Sequence, residues 1–316
     1  MTGKATVVKN AGSHYMLSML PDWNPFPAVL KGRIRLKSND STNPVAVGDH
    51  VLFETGAETP GEVTLENPAL ITEILDRKNF VVRKSTNLSR QSHVIAANID
   101  MAFAVVSLYF PEIKLPFLDR MLVTCEVYGV PATIVMNKVD LYRNEAPEAV
   151  QNFIDIYTGA GYRVVQASAK TGEGIEELRG ICDGNVCLFS GESGVGKSSL
   201  IKALDPSLDP KIGKISVAHL QGKHTTSLYE MYRLASGGAV IDTPGLRGFG
   251  LVNLEKEEIA RYFPEMLKAA ENCRFTPCTH THEPGCAVKE AVDNGEISPE
   301  RYSSYLGMIE EDKKFR

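Results

Sequence analysis

Apolar and polar positions along the chain change rhythm twice. Over the first 75 residues the apolar runs are short: "ATVVKN", "HYMLSML", "AVLKGRIRLK" and "PVAVGDHVLFE", separated by Gly, Pro, Asn and Asp turns. No long amphipathic helix interrupts them, which predicts a small β-barrel; the OB-fold is a common nucleic-acid-binding example. From Met101 the runs become solidly apolar. "MAFAVVSL", "TIVM", "YRVVQA", "VCLF" and "AVID" each empty into a polar or glycine-rich turn. That is how buried strands of a parallel α/β sheet read, with loops gathered at one edge. Beyond residue 252 the period turns helical, in "LEKEEIARYFPEMLKAAEN" and again after Gly285.

At 316 residues the chain has room for two or three domains. No apolar run approaches the ~20 residues of a membrane helix, and "MTGKATVVKN" lacks the apolar core of a signal peptide. A cytoplasmic protein with no membrane partner is expected, and nothing requires more than a monomer. The net charge of −5 argues against nonspecific coating of nucleic acid, while leaving local basic patches open. One candidate patch is Lys31, Arg33, Arg35 and Lys37, which alternate with Gly32, Ile34 and Leu36 and would share one face of a strand, or simply a solvated face. Residues 76–98, rich in Arg and Lys, read as a linker.

The chemistry begins at "LFSGESGVGKSSL". Gly191-x-x-x-x-Gly196-Lys197-Ser198 follows an apolar strand and opens a helix. Backbone N–H groups of such a loop cradle phosphates, and the helix points its positive end at them. Ser190, Gly191, Glu192, Ser193, Gly194, Val195, Gly196, Lys197, Ser198 and Ser199 form the predicted nucleotide contact. Lys197 would reach the β- and γ-phosphates and Ser198 would ligate Mg²⁺. The base is indicated by Asn137-Lys138-x-Asp140. The Asp140 carboxylate can accept from the guanine ring N–H and exocyclic amine together, with Lys138 over the base and Asn137 bracing the loop. Ser168-Ala169-Lys170 would meet the base through backbone N–H groups. Asp242-x-x-Gly245 would hold Mg²⁺ through water and sense the γ-phosphate. In "GKHTTS", Thr225 or Thr226 would supply the further Mg²⁺ ligand. These are the GTPase motifs in rotated order: base loops first, phosphate loops after.

Three cysteines and two histidines cluster as Cys273-x₄-Cys278-x-His280-x-His282-x₃-Cys286. Three thiols and one imidazole complete a tetrahedral Zn²⁺ shell and leave no position for water, so a structural site is expected, with His280 and His282 competing for the fourth place. Cys125, Cys182 and Cys187 lie in apolar surroundings and read as core.

Taken together, "NKVD", "SGESGVGKSSL", "GKHTTS", "DTPGLRGFGL" and "CRFTPCTHTHEPGCAVKEAV" resemble the ribosome-small-subunit-dependent GTPase A (RsgA) family over nearly the whole chain. The resemblance implies a multidomain protein: an OB-fold over 1–75, the linker 76–98, a circularly permuted P-loop GTPase domain over 99–252, and a zinc-binding helical domain over 253–316. It implies His280 as the fourth zinc ligand. It also implies slow GTP hydrolysis stimulated by the small (30S) ribosomal subunit and its 16S rRNA, late in subunit maturation. Leu246 stands where Ras-type enzymes carry the water-orienting Gln, and His224 is the nearest polar substitute; the catalytic candidates are therefore His224, Lys197, Thr225 and Thr226. Residues 242–250 lead straight toward the zinc cluster, which suggests that nucleotide state repositions that domain. The competing reading is a zinc-bearing RNA-binding module whose GTP site is vestigial or purely regulatory.

Overall fold

The computed structural model describes residues 1–32, 44–84, 92–208, 229–243 and 254–314. The first five strands, β1 (Thr2–Ala11), β2 (His14–Ser18), β3 (Phe26–Leu30), β4 (His50–Glu54) and β5 (Ala69–Ile74), close on themselves in the order β1-β2-β3-β5-β4-β1. This is the small barrel of OB type expected from the turn-rich sequence. Alternate residues fill it, among them Val7, Leu17, Phe26, Ala28, Val51, Phe53 and Ile71. Two details differ from the sequence reading. The strand "ALITEI" (β5) was not foreseen, and it closes the barrel by pairing with both β3 and β4. Of the expected cationic strand, β3 covers the described residues only as far as Leu30, and Lys31 pairs with Glu54. Arg33, Arg35 and Lys37 lie outside the described residues.

The stretch read as a linker contains a hairpin, β6 (Phe80–Lys84) against β7 (Ser92–Ala97). Its apolar side chains drive this. Val81 and Ile95 are buried in the neighbouring α/β core, and Val82 and Val94 pack with Ala46. The clustered cations masked this pattern in the sequence.

The α/β unit follows: β8 (Met101–Val106), α1 (Leu115–Val127), β9 (Ala132–Met136), α2 (Pro147–Gly159), β10 (Arg163–Gln166), α3 (Ile175–Cys182), β11 (Val186–Ser190), α4 (Lys197–Leu204), β12 (Tyr229–Arg233) and β13 (Ala239–Asp242). Its strands lie in the order β10-β9-β8-β11-β13-β12, parallel except for β12. The solid apolar runs are explained by burial on both faces. Ala102, Ala104, Ile134 and Leu188 face one core with α1 and α2, while Phe103, Val105, Val135 and Phe189 face another with α3 and α4. Prolines start α1 and α2, where a missing N–H costs nothing. The barrel is fused to this sheet: β1 pairs antiparallel with β12, Lys9 opposite Glu230 with their side chains 3.0 Å apart.

The C-terminal helices are α5 (Lys256–Ile259), α6 (Pro264–Ala270), α7 (Ala287–Asp293) and α8 (Pro299–Lys314). Their core of Phe263, Met266, Val288, Ile297, Tyr305 and Met308 takes in Val123 of α1. Beside it Arg301 is sealed between two carboxylates, bonding Asp119 of α1 at 2.8 Å and Glu265 of α6 at 2.8 and 3.0 Å. Among the described residues no helix is long and apolar enough to cross a membrane.

Candidate functional site

All the described base and phosphate loops emerge from the carboxyl ends of β9, β10, β11 and β13, where ligands of open α/β sheets bind. Strand β11 delivers the fully buried Ser190, whose hydroxyl has no hydrogen-bond partner. The loop then turns through Gly191, Glu192, Ser193, Gly194, Val195 and Gly196 into α4. A Cβ on Gly191 would stand 2.1 Å from the Val105 carbonyl oxygen, and one on Gly196 would stand 2.3 Å from the Asn137 side-chain nitrogen. Both also have positive φ, so the loop needs glycine here on two counts. Val195 is buried under the loop, Ser193 and Ser199 are exposed, and Glu192 pairs with Lys114 at 3.0 Å.

Lys197 folds back into the loop. Its Nζ donates to the carbonyls of Gly191 at 2.7 Å and Glu192 at 2.8 Å. Burial pulls its pKa below the usual lysine value, while Asp242 and Glu192 oppose the shift. Asp242, at the end of β13, shows the complementary effect: burial raises its pKa and Lys197 holds it down. Its Oδ1 is buried with no hydrogen-bond partner. The orphaned Asp242 carboxylate oxygen and the hydroxyl of the half-buried Ser198 are hard oxygen donors of the kind that suits Mg²⁺.

The base-reading loops are tied to the phosphate loop through the side chains of Asn137 and Lys138. Asn137, 1 % exposed, donates from Nδ2 to the Val195 carbonyl at 2.8 Å and accepts from the Ala169 N–H at 3.2 Å. Lys138 is left-handed, with φ of 66°, and its Nζ donates to Gly194 O at 2.6 Å and Phe110 O at 2.5 Å. Asp140 is exposed, and the buried Ser168 hydroxyl donates to its Oδ1 at 2.6 Å. Ser168 Oγ also accepts from the Thr171 N–H at 3.1 Å, which shapes the turn carrying Ala169 and the exposed Lys170. Asn137, Asp140, Ser168, Ala169, Val195, Gly196 and Lys197 thus form one surface at one sheet edge. His224, Thr225, Thr226, Gly245 and Leu246 lie outside the described residues.

Sequence reasoning missed the support of this surface. Tyr142, two residues past Asp140, donates its hydroxyl to Asn137 O at 2.6 Å. The signal was available: an aromatic beside a polar motif, whose hydroxyl must find a partner once buried.

In the C-terminal unit, Cys273, Cys278, His280 and Cys286 bring their ligand atoms within 4.8 Å of one another. Cys273 Sγ lies 3.6 Å from His280 Nδ1 and 4.0 Å from Cys286 Sγ, and His280 Nδ1 lies 3.4 Å from Cys286 Sγ. Ligands of a tetrahedral zinc would stand roughly 3.8 Å apart for two sulfurs and roughly 3.5 Å for sulfur and nitrogen. The set therefore fits Zn²⁺. Burial raises the Cys278 thiol to about 12, with the neighbouring thiols adding to the shift, and burial lowers His280. His282, the competing ligand, is exposed and faces Thr281 at 2.9 Å. Outside the cluster, Tyr302 donates to His280 O and Tyr305 to Thr279 O, each at 2.6 Å. Glu283 accepts from the N–H groups of Thr279 and Thr281 at 2.8 and 3.0 Å. Cys125, Cys182 and Cys187 are buried core residues, as expected.

Residues 74–252 match the model of the RsgA GTPase family. The chain is 46% identical over 315 residues to a Bacteroides fragilis protein named small ribosomal subunit biogenesis GTPase RsgA, covering 99% of each chain. It is 45% identical to the like-named RsgA 2 of Bacteroides thetaiotaomicron, again over 99% of each. Among solved structures, YjeQ from Thermotoga maritima superposes with a TM-score of 0.76 at 32% identity, covering 98% of both chains. YloQ, described as a circularly permuted GTPase, gives 0.71 at 26% identity, covering 100% of this chain and 96% of its own.

Proposed function

Because the chain belongs to the RsgA GTPase family, and so hydrolyses GTP in ribosome biogenesis, we propose that its client is the small (30S) ribosomal subunit and its 16S rRNA late in maturation, with hydrolysis that is slow until the subunit is engaged. The observation that carries the reading is Asn137, which joins the Val195 carbonyl of the phosphate loop to the Ala169 N–H of the base loop. That bond pattern supports a purine site and a triphosphate site held at one separation.

In this reading Asp140 accepts the guanine N–H and amine, Ala169 meets the base through its N–H, and the Lys138 stem covers it. The N–H groups of residues 191–199 cradle the phosphates. Lys197 exchanges its two loop carbonyls for phosphate oxygens, so the loop holds its shape until substrate arrives. Ser198, Asp242 and one of Thr225 and Thr226 would hold Mg²⁺, which when bound neutralises charge on the phosphates. Leu246 can neither orient water nor donate, which supports slow intrinsic turnover, and His224 is the proposed substitute once a partner positions it. Cys273, Cys278, His280 and Cys286 would hold one structural Zn²⁺ that shapes the helical unit for docking. A cytoplasmic monomer, divided near residues 75, 98 and 252, completes the proposal.

The test is GTP turnover with and without purified small subunits. Stimulation of about tenfold or more is expected, since subunit-supplied positioning replaces a missing catalytic side chain. Equal rates would reject the client, and undetectable binding of GTP with Mg²⁺ would favour the vestigial-site alternative.

A further inference from the structure

We propose that Tyr142 is a positioning residue for purine recognition: its hydroxyl holds the Asn137–Lys138 peptide in the orientation that aims Asp140 at the base. The inference rests on the proposed guanine-reading role of Asn137, Lys138 and Asp140.

Lys138 occupies the left-handed region, which strains any residue bearing a Cβ. The peptide before it is gripped from both ends of Asn137. On one side the Asn137 N–H is anchored in the sheet, donating to Val106 O at 2.8 Å. On the other, the Asn137 carbonyl accepts from Tyr142 at 2.6 Å. Without that hydroxyl the carbonyl is free to rotate, and Lys138 can relax toward the right-handed region. Asp140 lies two residues on, exposed, and its register depends on that peptide.

The same hydroxyl lies beside the Leu108 backbone and the Ser107 side chain, in the turn that follows β8. That turn presents Phe110 O, one of the two acceptors of the Lys138 ammonium. Ser107 in turn donates to Tyr109 O, and the Tyr109 ring meets Tyr142 edge-on at 5.7 Å. One phenol, 2 % exposed, thus places both the peptide and the carbonyl that orient Lys138. Nothing about the phosphate cradle depends on it directly, so its loss should appear in base selectivity before phosphate chemistry.

The experiment compares GDP with IDP, which lacks the exocyclic amine, by calorimetric titration of the full-length protein. Tyr142→Phe removes one oxygen and keeps the ring. GDP affinity should weaken about tenfold and IDP affinity by less, about threefold, because Asp140 accepts two bonds from guanine and only the ring N–H bond from hypoxanthine. A GDP/IDP ratio equal to that of the unaltered protein overturns the proposal. Ser107→Ala, which removes the hydroxyl that lies beside the phenol and donates to Tyr109 O while leaving the Tyr142 ring untouched, should narrow the ratio in the same direction and by less. Should Tyr142→Phe fail to fold, an unchanged ratio in Ser107→Ala overturns the proposal instead. Asp140→Asn separates the two ideas. If it collapses the ratio while Tyr142→Phe does not, only the positioning role fails; if it leaves the ratio intact, the base reading fails and the Tyr142 role with it.

Discussion

Replacing Arg301 with Met should unseat the C-terminal helices from the α/β unit. The Arg301 side chain is 1 % exposed, and its partners Asp119 and Glu265 are 0 % and 7 % exposed. Met keeps an apolar stem beside the Phe263 ring, over which the guanidinium now sits at 4.7 Å, so most of the packing survives. What is lost is the charge. Removing one partner of a buried ion pair costs about 3–5 kcal/mol, because the carboxylate left behind has neither water nor cation. Protonation caps the Asp119 share: an ordinary Asp takes up a proton at pH 7 for about 4 kcal/mol. The two figures agree, and a loss of at least about 4 kcal/mol is expected, with Glu265 adding its own share. Burial already raises the Asp119 pKa, with Arg301 opposing the rise, so the variant's folded pKa climbs further above its unfolded value. Between those two values the folded state holds a proton that the unfolded state has released, so stability falls as pH rises. The deficit relative to the unaltered protein should therefore be smallest near about pH 5 and grow toward about pH 8. Zinc-site titration is common to both proteins and cancels in the difference. The single tryptophan, Trp23, packs against the α/β core and is not part of the C-terminal helical core, so its fluorescence does not report this joint directly. Urea unfolding followed by far-ultraviolet circular dichroism, with hydrogen exchange of α8 amides, does. A loss under about 1 kcal/mol, or a deficit that shrinks as pH rises, would refute the reasoning, since water would then be reaching the carboxylates.

The glycine contacts predict that Gly196→Ala weakens GDP binding by at least about tenfold and also lowers the melting temperature by a few degrees, because the added methyl meets the buried Asn137 at a positive φ; calorimetric affinity within twofold of the original would contradict the loop geometry. Cys286→Ser should lower the zinc content from one equivalent per chain toward none and melt the C-terminal helices first, as read by metal analysis and hydrogen exchange. Glu283→Gln should speed zinc release to a chelator by about tenfold, since its carboxylate gathers N–H groups of the turn that carries His280; an unchanged release rate would assign that carboxylate to solvent.

Legibility differed by element. The nucleotide loops were readable because phosphate and purine chemistry demand particular residues a few positions apart, and the local backbone then delivers them. The cysteine–histidine set was readable for the same reason, and the structure separates His280 from His282 by burial and by distance, His280 Nδ1 lying 3.6 and 3.4 Å from Cys273 and Cys286 Sγ. The partners of those loops were not legible. Arg301 finds Asp119 across 182 positions and Asn137 finds Val195 across 58, and no local period encodes such pairs. Strand β5 escaped because "ALITEI" alternates only weakly, and its assignment rests on closing a barrel with β3 and β4. The hairpin β6–β7 escaped because Arg and Lys around Val81 and Val94 made a core-facing segment look solvated.

The pairing of β1 with β12 bears on how the chain is made. Lys9 leaves the exit tunnel 221 residues ahead of Glu230. Until β13 and β12 arrive, β11 has one flank open and the Lys9–Asn10 end of β1 lacks its neighbour, although β8 to β11 are already synthesised. The last strands to emerge are those that close the middle of the sheet. A nascent chain of this protein therefore spends the interval with two unpaired edges able to capture other chains, and slowed translation between residues 190 and 229 should raise its aggregation.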